Sequence, residues 1–167
     1  QYSSDFSEWI EGGLTEEELE YVLAYLPQNM EEDSLTEDML TQTVNALCQG
    51  TGKNGEIYIT NQGWDDQSRG IYSTAEINRF ISCFTDYQYP GDTVALYIAT
   101  LNREESADIY TSLAATTMLE KENDINIYYR HREINYDESE AVSETYKVAV
   151  MRPTESGRYR IVKIRDA

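Results

Sequence analysis

The residue best suited to acid–base chemistry is His131, the single histidine of the chain. An imidazole titrates near neutral pH and can act as a general base. His131 lies in the run Tyr-Tyr-Arg-His-Arg, which has the composition of a strand, and its two arginine neighbours favour a structural position. We therefore treat His131 as a candidate binding residue and assign no catalytic residue.

Cys48 and Cys83 are the two cysteines. Either could form a thiol–imidazole dyad with His131, but both fall on apolar stripes of predicted helices, where a cysteine is ordinarily inert packing. One disulfide between them would stabilise the fold by about 3 to 4 kcal/mol in an oxidising compartment. Two buried free thiols are the alternative, and the sequence leaves both interpretations open.

Motifs for metals and cofactors are not evident. Asp65 and Asp66 could offer oxygen ligands to calcium, but their spacing is not that of an EF-hand loop. The sequence contains no Gly-x-Ser-x-Gly elbow and no His-Glu-x-x-His zinc motif. We expect no metal site, no cofactor and no enzymatic activity.

Tyrosine is unusually frequent, with 14 residues against three Phe and two Trp. Tyrosines within strand-like runs are predicted to pack in or at the rim of a sheet, with the hydroxyl reaching water or a partner; they are Tyr58, Tyr97, Tyr128, Tyr146 and Tyr159. Aromatic residues in or near predicted turns are instead candidates for a binding surface, because Tyr and Trp supply contact area at low entropic cost. These candidates are Trp64, Tyr72, Tyr87 and Tyr89.

The charge is strongly negative and uneven. The 167 residues carry 31 acids and 13 Lys or Arg, for a net charge of −18, and Gln1–Gly50 contains 12 of the acids and no Lys or Arg. Such a chain repels phosphate, so we expect no binding to nucleic acid or to anionic membranes. The acidic surface is either a solvated helical face or a docking surface for a basic partner.

Two features bear on location. The longest uncharged stretch, the 14 residues 39–52, is shorter than the roughly 20 apolar residues of a membrane span, so we expect no membrane insertion of the visible chain. The chain starts at Gln1 rather than at methionine, and its first residues are the polar kind that follow a removed secretion or lipoprotein signal. An extracellular or cell-surface-anchored location is therefore predicted.

Three Ser/Thr-x-x-Glu capping boxes predict helix starts; they are Thr15 with Glu18, Ser34 with Glu37, and Ser73 with Glu76. Apolar residues at helical spacing extend the helices over about 15–26, 35–48 and 74–84, with Gly50 as a C-cap. A further short helix with Phe6, Trp9 and Ile10 is separated by a Gly12-Gly13 hinge. We divide the chain into a flexible or partly helical segment 1–13 and one α+β domain 14–167.

The second half is rich in Val, Ile, Tyr and Thr and predicts long strands. The predicted strands are 56–60, 70–72, 93–101, 107–119, 124–134, 144–151 and 158–164. Segment 107–119 also tolerates a helix, and its threonines and its alternation favour a strand. The last two strands form a hairpin around Pro153–Gly157, and Asp137–Glu144 is predicted to be a charged loop.

This element order, with its closing hairpin Tyr146–Ile164, resembles the nuclear-transport-factor-two-like (NTF2-like, or cystatin-like) cone fold, as found in small exported lipoproteins of Gram-positive bacteria. The resemblance implies N-terminal helices packed on a curved, mainly antiparallel C-terminal sheet that leaves a concave pocket. Some members use this pocket for catalysis and many use it only for binding. No catalytic position of the family maps onto this sequence.

The leading functional hypothesis is a non-enzymatic exported or cell-surface domain that binds a protein or small ligand through a concave sheet face or aromatic loops. One alternative is an acidic inhibitor or immunity-type protein that occupies a basic site on a partner. Another is an NTF2-like pocket enzyme that uses His131 or a buried carboxylate. A homodimer through the sheet also stays open.

Overall fold

The computed structural model describes residues 6–52, 55–98, 107–120, 123–135 and 141–167. After a short 3-10 turn at Phe6–Glu8, the elements are α1 Glu16–Tyr25, α2 Glu37–Gln49, β1 Asn61–Trp64, β2 Gly70–Ser73, α3 Thr74–Ile81, β3 Thr93–Leu96, β4 Ala107–Glu120, β5 Asp124–Asn135, β6 Ala141–Pro153 and β7 Tyr159–Asp166. The predicted α+β class is confirmed.

The strands form two antiparallel sheets, one of three strands in the order β1-β2-β3 and one of four in the order β4-β5-β6-β7. The expectation of a curved sheet is not met, because the sheet is not strongly curled. The segment predicted at 107–119, whose pattern also tolerates a helix, is a strand. It forms β4, which has 14 residues and pairs with β5.

The start of α1 is as predicted. The Thr15 hydroxyl accepts a hydrogen bond from the Glu18 amide at 3.2 Å, and the Glu18 carboxylate accepts one from the Thr15 amide at 3.0 Å. The predicted start of α2 is wrong, because the N-cap is Thr36 rather than Ser34. The Ser34 hydroxyl instead donates to the carbonyl of Glu31 at 2.6 Å and closes the preceding turn.

The third helix begins as predicted but ends earlier. The Ser73 hydroxyl caps the amide of Glu76 at 3.3 Å, while the Glu76 carboxylate accepts a hydrogen bond from the Thr60 amide at 3.5 Å rather than closing the box. The helix ends at Ile81, and residues 82–84 form a turn.

Two strand predictions are corrected. Residues 56–60 lie outside any strand, although Ile59 is buried in the core, and the strand that pairs with β2 is β1 at 61–64. β6 begins at Ala141, so the predicted loop is wrong for 141–144, and residues 136–140 lie outside the described residues. Of the predicted strand 93–101, residues 99–101 also lie outside them.

The core lies between the helices and one face of the four-stranded sheet. Leu19, Val22 and Leu23 of α1 are fully buried, as are Ile125 of β5 and Met151 of β6. Burial of these side chains removes apolar surface from water and contributes most of the driving force for folding.

The N-terminal segment is part of this packing. Ile10 is fully buried and forms a parallel bridge with Tyr159, and the ring of Trp9 contacts that of Tyr159 edge to face at 5.7 Å. Residues 6–10 therefore pack against the start of β7.

The edge of β7 that faces away from β6 is covered by three segments of the chain. Backbone hydrogen bonds join the Tyr159 amide to the Trp9 carbonyl, the Ile161 amide to the Cys83 carbonyl and the Ile164 amide to the Met30 carbonyl, at 2.8, 2.6 and 2.8 Å. Since an uncovered strand edge invites pairing with other chains, these contacts close one side of the sheet.

Within the described part of the chain, no helix has the length and apolar character needed to cross a membrane.

Candidate binding surface

The turn between β1 and β2 is held by the carboxylate of Asp65. One oxygen accepts hydrogen bonds from the amides of Gln67 at 3.0 Å and Arg69 at 2.8 Å, and the other accepts one from Arg69 Nε at 2.7 Å. These bonds, first among them the one from the Arg69 amide, hold the pKa of Asp65 below its ordinary value. The carboxylate is therefore ionised and engaged within the turn, which argues against its use as a calcium ligand.

Two large aromatic side chains are exposed beside this turn. Trp64 at the end of β1 is 62% exposed, and Tyr97, which directly follows β3, is 64% exposed. Trp64 is in register with Gly70 and Gly70 with Leu96, so the backbones of Trp64 and Leu96 lie two strand spacings apart, or about 10 Å. Tyr97 directly follows Leu96 and is therefore directed to the opposite face of the sheet from Trp64.

Arg69 links the turn to the second of these aromatics. Its guanidinium carbon lies 5.7 Å from the centre of the Tyr97 ring, and the Tyr97 hydroxyl donates to Gln67 Oε1 at 3.3 Å. A cation over an aromatic face is attracted by the ring quadrupole. We call Trp64, Arg69 and Tyr97 together the aromatic end of the three-stranded sheet.

The structure separates the four turn aromatics that the sequence singled out. Trp64 belongs to the aromatic end, whereas Tyr72 is 3% exposed and accepts a hydrogen bond from Asn61 Nδ2 at 3.2 Å, so it lies beneath the surface. Tyr87, which is 46% exposed, contacts the half-buried Tyr89 edge to face at 5.1 Å in the segment between α3 and β3.

Tyr97 is the functional candidate that sequence reasoning missed. The strand pattern predicts it as a packing residue, but the structure exposes it. The sequence pattern that indicates the exposure of Tyr97 is the alternation of Val94, Leu96 and Ile98, all of which pack against the core. Successive side chains in a strand point to opposite faces, so this alternation directs Tyr97 away from the core.

His131 is 8% exposed and lies in register between Thr111 of β4 and Thr145 of β6. Its burial lowers its pKa, the nearby positive charge of Lys147 acts in the same direction, and Glu133 opposes the shift. Its Nδ1 atom is buried and has no hydrogen-bond partner among the described residues. The imidazole is therefore neutral at neutral pH, and the geometry supports packing rather than a surface role.

Both cysteines are free thiols and are buried. Burial raises the pKa of each thiol to about 12, and for Cys48 the charge of Glu76 acts in the same direction. The Cys83 thiol donates to the carbonyl of Phe80 at 3.3 Å. Both groups are protonated at neutral pH and lack the thiolate that a nucleophile or a metal site needs.

Across the described ranges, no group of three or more His, Cys, Asp or Glu side chains could hold a metal ion. Comparison of the chain with protein-family models, with curated proteins and with solved structures found no match. The assignment of a function therefore depends on the geometry of this chain.

Proposed function

We propose that the chain is a non-enzymatic binding domain that engages a protein partner through the aromatic end of its three-stranded sheet. The observation that carries the proposal is the 62% exposure of Trp64, a large aromatic side chain at the end of an edge strand. Tryptophan, tyrosine and arginine are the residue types enriched at the energetic centres of protein interfaces. The aromatic end carries one of each, with Trp64 directed to one face of the sheet and Tyr97 to the other.

The local structure supports the proposal because two side chains of the aromatic end, Arg69 and Tyr97, are held in place. Asp65 fixes both the amide and the side chain of Arg69, and Arg69 in turn lies over the Tyr97 ring. Side chains that are already ordered lose less conformational entropy when a partner binds.

The proposal extends to the NTF2-like arrangement of the α+β fold and to an extracellular or cell-surface location. Helices that precede a four-stranded antiparallel sheet support the first. The location is tested by expressing the chain from its own gene with a C-terminal tag and fractionating the cells. Recovery in the cytosol alone would contradict it.

A displayed library of random peptides tests the binding surface. Peptides selected on the unaltered chain should lose about 30-fold in affinity for the Trp64→Ala variant, as expected when a central tryptophan is removed from an interface. Tyr146→Ala is the matched control, because this side chain is 64% exposed on the other sheet. Its affinity for the peptides should change less than about twofold.

Fluorescence gives a second readout of the same surface. Trp9→Phe leaves Trp64 as the sole tryptophan of the chain. A bound peptide should shift the Trp64 emission to shorter wavelength, because the indole leaves water. A library without binders, or peptides that bind Trp64→Ala as tightly as the unaltered chain, would contradict the proposal.

A further inference from the structure

A cleft of about 390 Å³ lies over β7, between the α1–α2 loop and the segment that follows α3. Its floor is apolar and well buried, with Met30, Phe84 and Ile161 exposed by 3, 5 and 1%. The volume falls in the lower part of the range of about 300 to 1,000 Å³ that is typical of ligand clefts. It is large enough for a small ligand or for one long side chain.

Backbone hydrogen bonds fix the two walls. The Cys83 carbonyl binds the amide of Ile161, and the Met30 carbonyl binds the amide of Ile164, so the walls meet β7 three residues, or about 10 Å, apart. Between these points β7 carries an irregularity at Val162, where the register with β6 shifts. The cleft is therefore a consequence of how the edge of β7 is covered.

The rim of the cleft is acidic on both sides. The α1–α2 loop contributes Glu31, Glu32 and Asp33, and the segment after α3 contributes Asp86. All four residues are exposed at the surface.

The four carboxylates differ in their partners. Glu31 pairs with Lys163 at 3.4 Å and Glu32 pairs with Arg152. Asp33 and Asp86, on opposite walls, make no ion pair within the described part of the chain.

One positively charged side chain lies among the residues that line the cleft. Arg160 is the one cationic residue among those that line the cleft, and its Nε donates to the carbonyl of Ser82 at 2.9 Å. The lining therefore combines an apolar floor with a net negative rim.

We propose that this cleft binds a primary ammonium or guanidinium group carried on an apolar arm. The arm lies on the floor formed by Met30, Phe84 and Ile161, and the cation lies at the rim between Asp33 and Asp86. A chain with a net charge of −18 attracts such a ligand at long range as well. Two sources share this chemistry, namely a free organic amine and a lysine or arginine side chain of a peptide. The site is separate from the aromatic end and does not depend on it.

Amide chemical shifts in a titration with hexylammonium test the proposal, with hexanol as the neutral probe of the same length. The shifts should be saturable and confined to residues 30–35, 84–86 and 160–162. Hexanol should bind at least about fivefold more weakly, because it lacks the charge that the rim carboxylates recognise.

Three single substitutions separate local contacts from net charge. Asp33→Asn and Asp86→Asn should each weaken hexylammonium binding about three- to fivefold, which is the effect expected for exposed carboxylates. Asp33 has a φ of 58°, a conformation that asparagine tolerates, so this variant keeps the loop. Asp66→Asn removes the same unit of charge from an exposed turn outside the cleft and should change the affinity less than about twofold.

A blocked Gly-Lys-Gly peptide and its norleucine counterpart distinguish the two sources. If the lysine peptide binds at least about tenfold tighter than hexylammonium, the ligand is a peptide side chain. If the peptide does not reach this margin, the ligand is a free amine. The proposal is overturned if neither cation gives saturable shifts, if the shifts lie outside the cleft, or if Asp66→Asn weakens binding as much as Asp33→Asn. None of these outcomes involves Trp64, so the proposed function is tested separately.

Discussion

The outer edges of the two sheets differ in what covers them. The free side of β7 is hydrogen-bonded to three segments that are distant in sequence. Among the described residues, no backbone hydrogen bond joins β1 to any element other than β2, and the tryptophan at its end is 62% exposed. β1 is only four residues long and carries an irregularity after Asn61, which limits its use as a template for aggregation.

This contrast distinguishes the segments that stabilise the fold from the surface that we propose as a binding site. The cover of β7 buries Ile161 and Ile164 and ties the N-terminal segment, the α1–α2 loop and the end of α3 to one strand. The aromatic end contributes little buried area and is available to a partner. The acidic cleft is an exception on the covered side, because it lies in the gap between two covering segments.

The largest expected effect concerns Cys83, whose carbonyl forms part of the cover of β7. A thiol with a pKa of about 12 is almost wholly protonated at pH 8. In a Cys48→Ala variant, a disulfide reagent should therefore react at least about a thousandfold more slowly with the folded chain than with the unfolded chain. Rapid reaction of the folded variant would mean that the cover opens readily.

The same reagent also tests the disulfide alternative in the unaltered chain. The unreduced chain should release two equivalents of reporter when it is unfolded, because both cysteines are free thiols. If the unfolded chain releases no reporter until it has been reduced, Cys48 and Cys83 form a disulfide.

The next effect concerns the packing beneath the covered edge. Ile161→Ala should lower the free energy of unfolding by about 3 kcal/mol, because it leaves a cavity in the core. Ile57→Ala is the matched control, since Ile57 is 67% exposed, and it should cost less than about 0.5 kcal/mol. Urea denaturation followed by circular dichroism measures both values. Equal costs would show that the cover of β7 adds no stability.

A smaller, pH-dependent effect is expected at Glu11, which joins the N-terminal segment to the β6–β7 turn. Its carboxylate accepts hydrogen bonds from the hydroxyls of Ser156 and Thr154, both at 2.5 Å. These two bonds, with Ser156 first, lower the pKa of Glu11 from its ordinary value of 4.5. Because the folded-state pKa is the lower one, the ionised group stabilises the fold above about pH 4.5, and this stabilisation is lost as the pH falls through the folded-state value.

Glu11→Gln should therefore lower the free energy of unfolding by about 0.5 to 1 kcal/mol at pH 7, after allowance for solvent screening. The difference from the unaltered chain should vanish in strong acid. Glu8→Gln removes the same charge from an exposed position and is the control, and it should change the free energy of unfolding at pH 7 by less than about 0.5 kcal/mol. If the two free energies of unfolding differ by the same amount at all pH values, ionised Glu11 does not stabilise the fold.

The smallest effect is expected at the aromatic end. Trp64→Ala should change the free energy of unfolding by less than about 0.5 kcal/mol, because most of this side chain already contacts water. Trp9→Ala should cost at least about 1 kcal/mol, since Trp9 packs against Tyr159 beside β7. Thermal unfolding of the two variants compares the two sides of the molecule. A large loss for Trp64→Ala would identify Trp64 as a structural residue.

The capping patterns predicted helix starts correctly where few backbone groups compete for the capping side chain. The box formed by Thr15 and Glu18 is complete, because both unsatisfied amides lie within one turn of the two side chains. Ser34 matches the capping-box pattern with Glu37, whereas Thr36, which is followed three residues later by Met39, does not. The choice between them was decided by the Glu31 carbonyl, which binds the Ser34 hydroxyl and leaves Thr36 as the cap.

Strand positions were predicted less well, because pairing is not a local property. Residues 56–60 have the composition of a strand and bury Ile59, yet the register of β2 selects residues 61–64 as its partner. Composition likewise gave Trp64 and Tyr72 the same interpretation. Pairing left Trp64 exposed at the end of an edge strand and placed Tyr72 in the interior strand β2.

The sequence by itself determined the α+β class, two of the three helix starts, the β6–β7 hairpin and the net charge, since these depend on residues within a few positions of one another. Only the tertiary structure decided which segments cover β7, where the acidic cleft lies and which aromatic side chains remain in water. Contacts such as that between Ile161 and Cys83 join residues far apart in the chain, and no pattern within either segment specifies its partner. Their selection is a property of the packed core as a whole, because burial and hydrogen bonding must be satisfied for all segments at once.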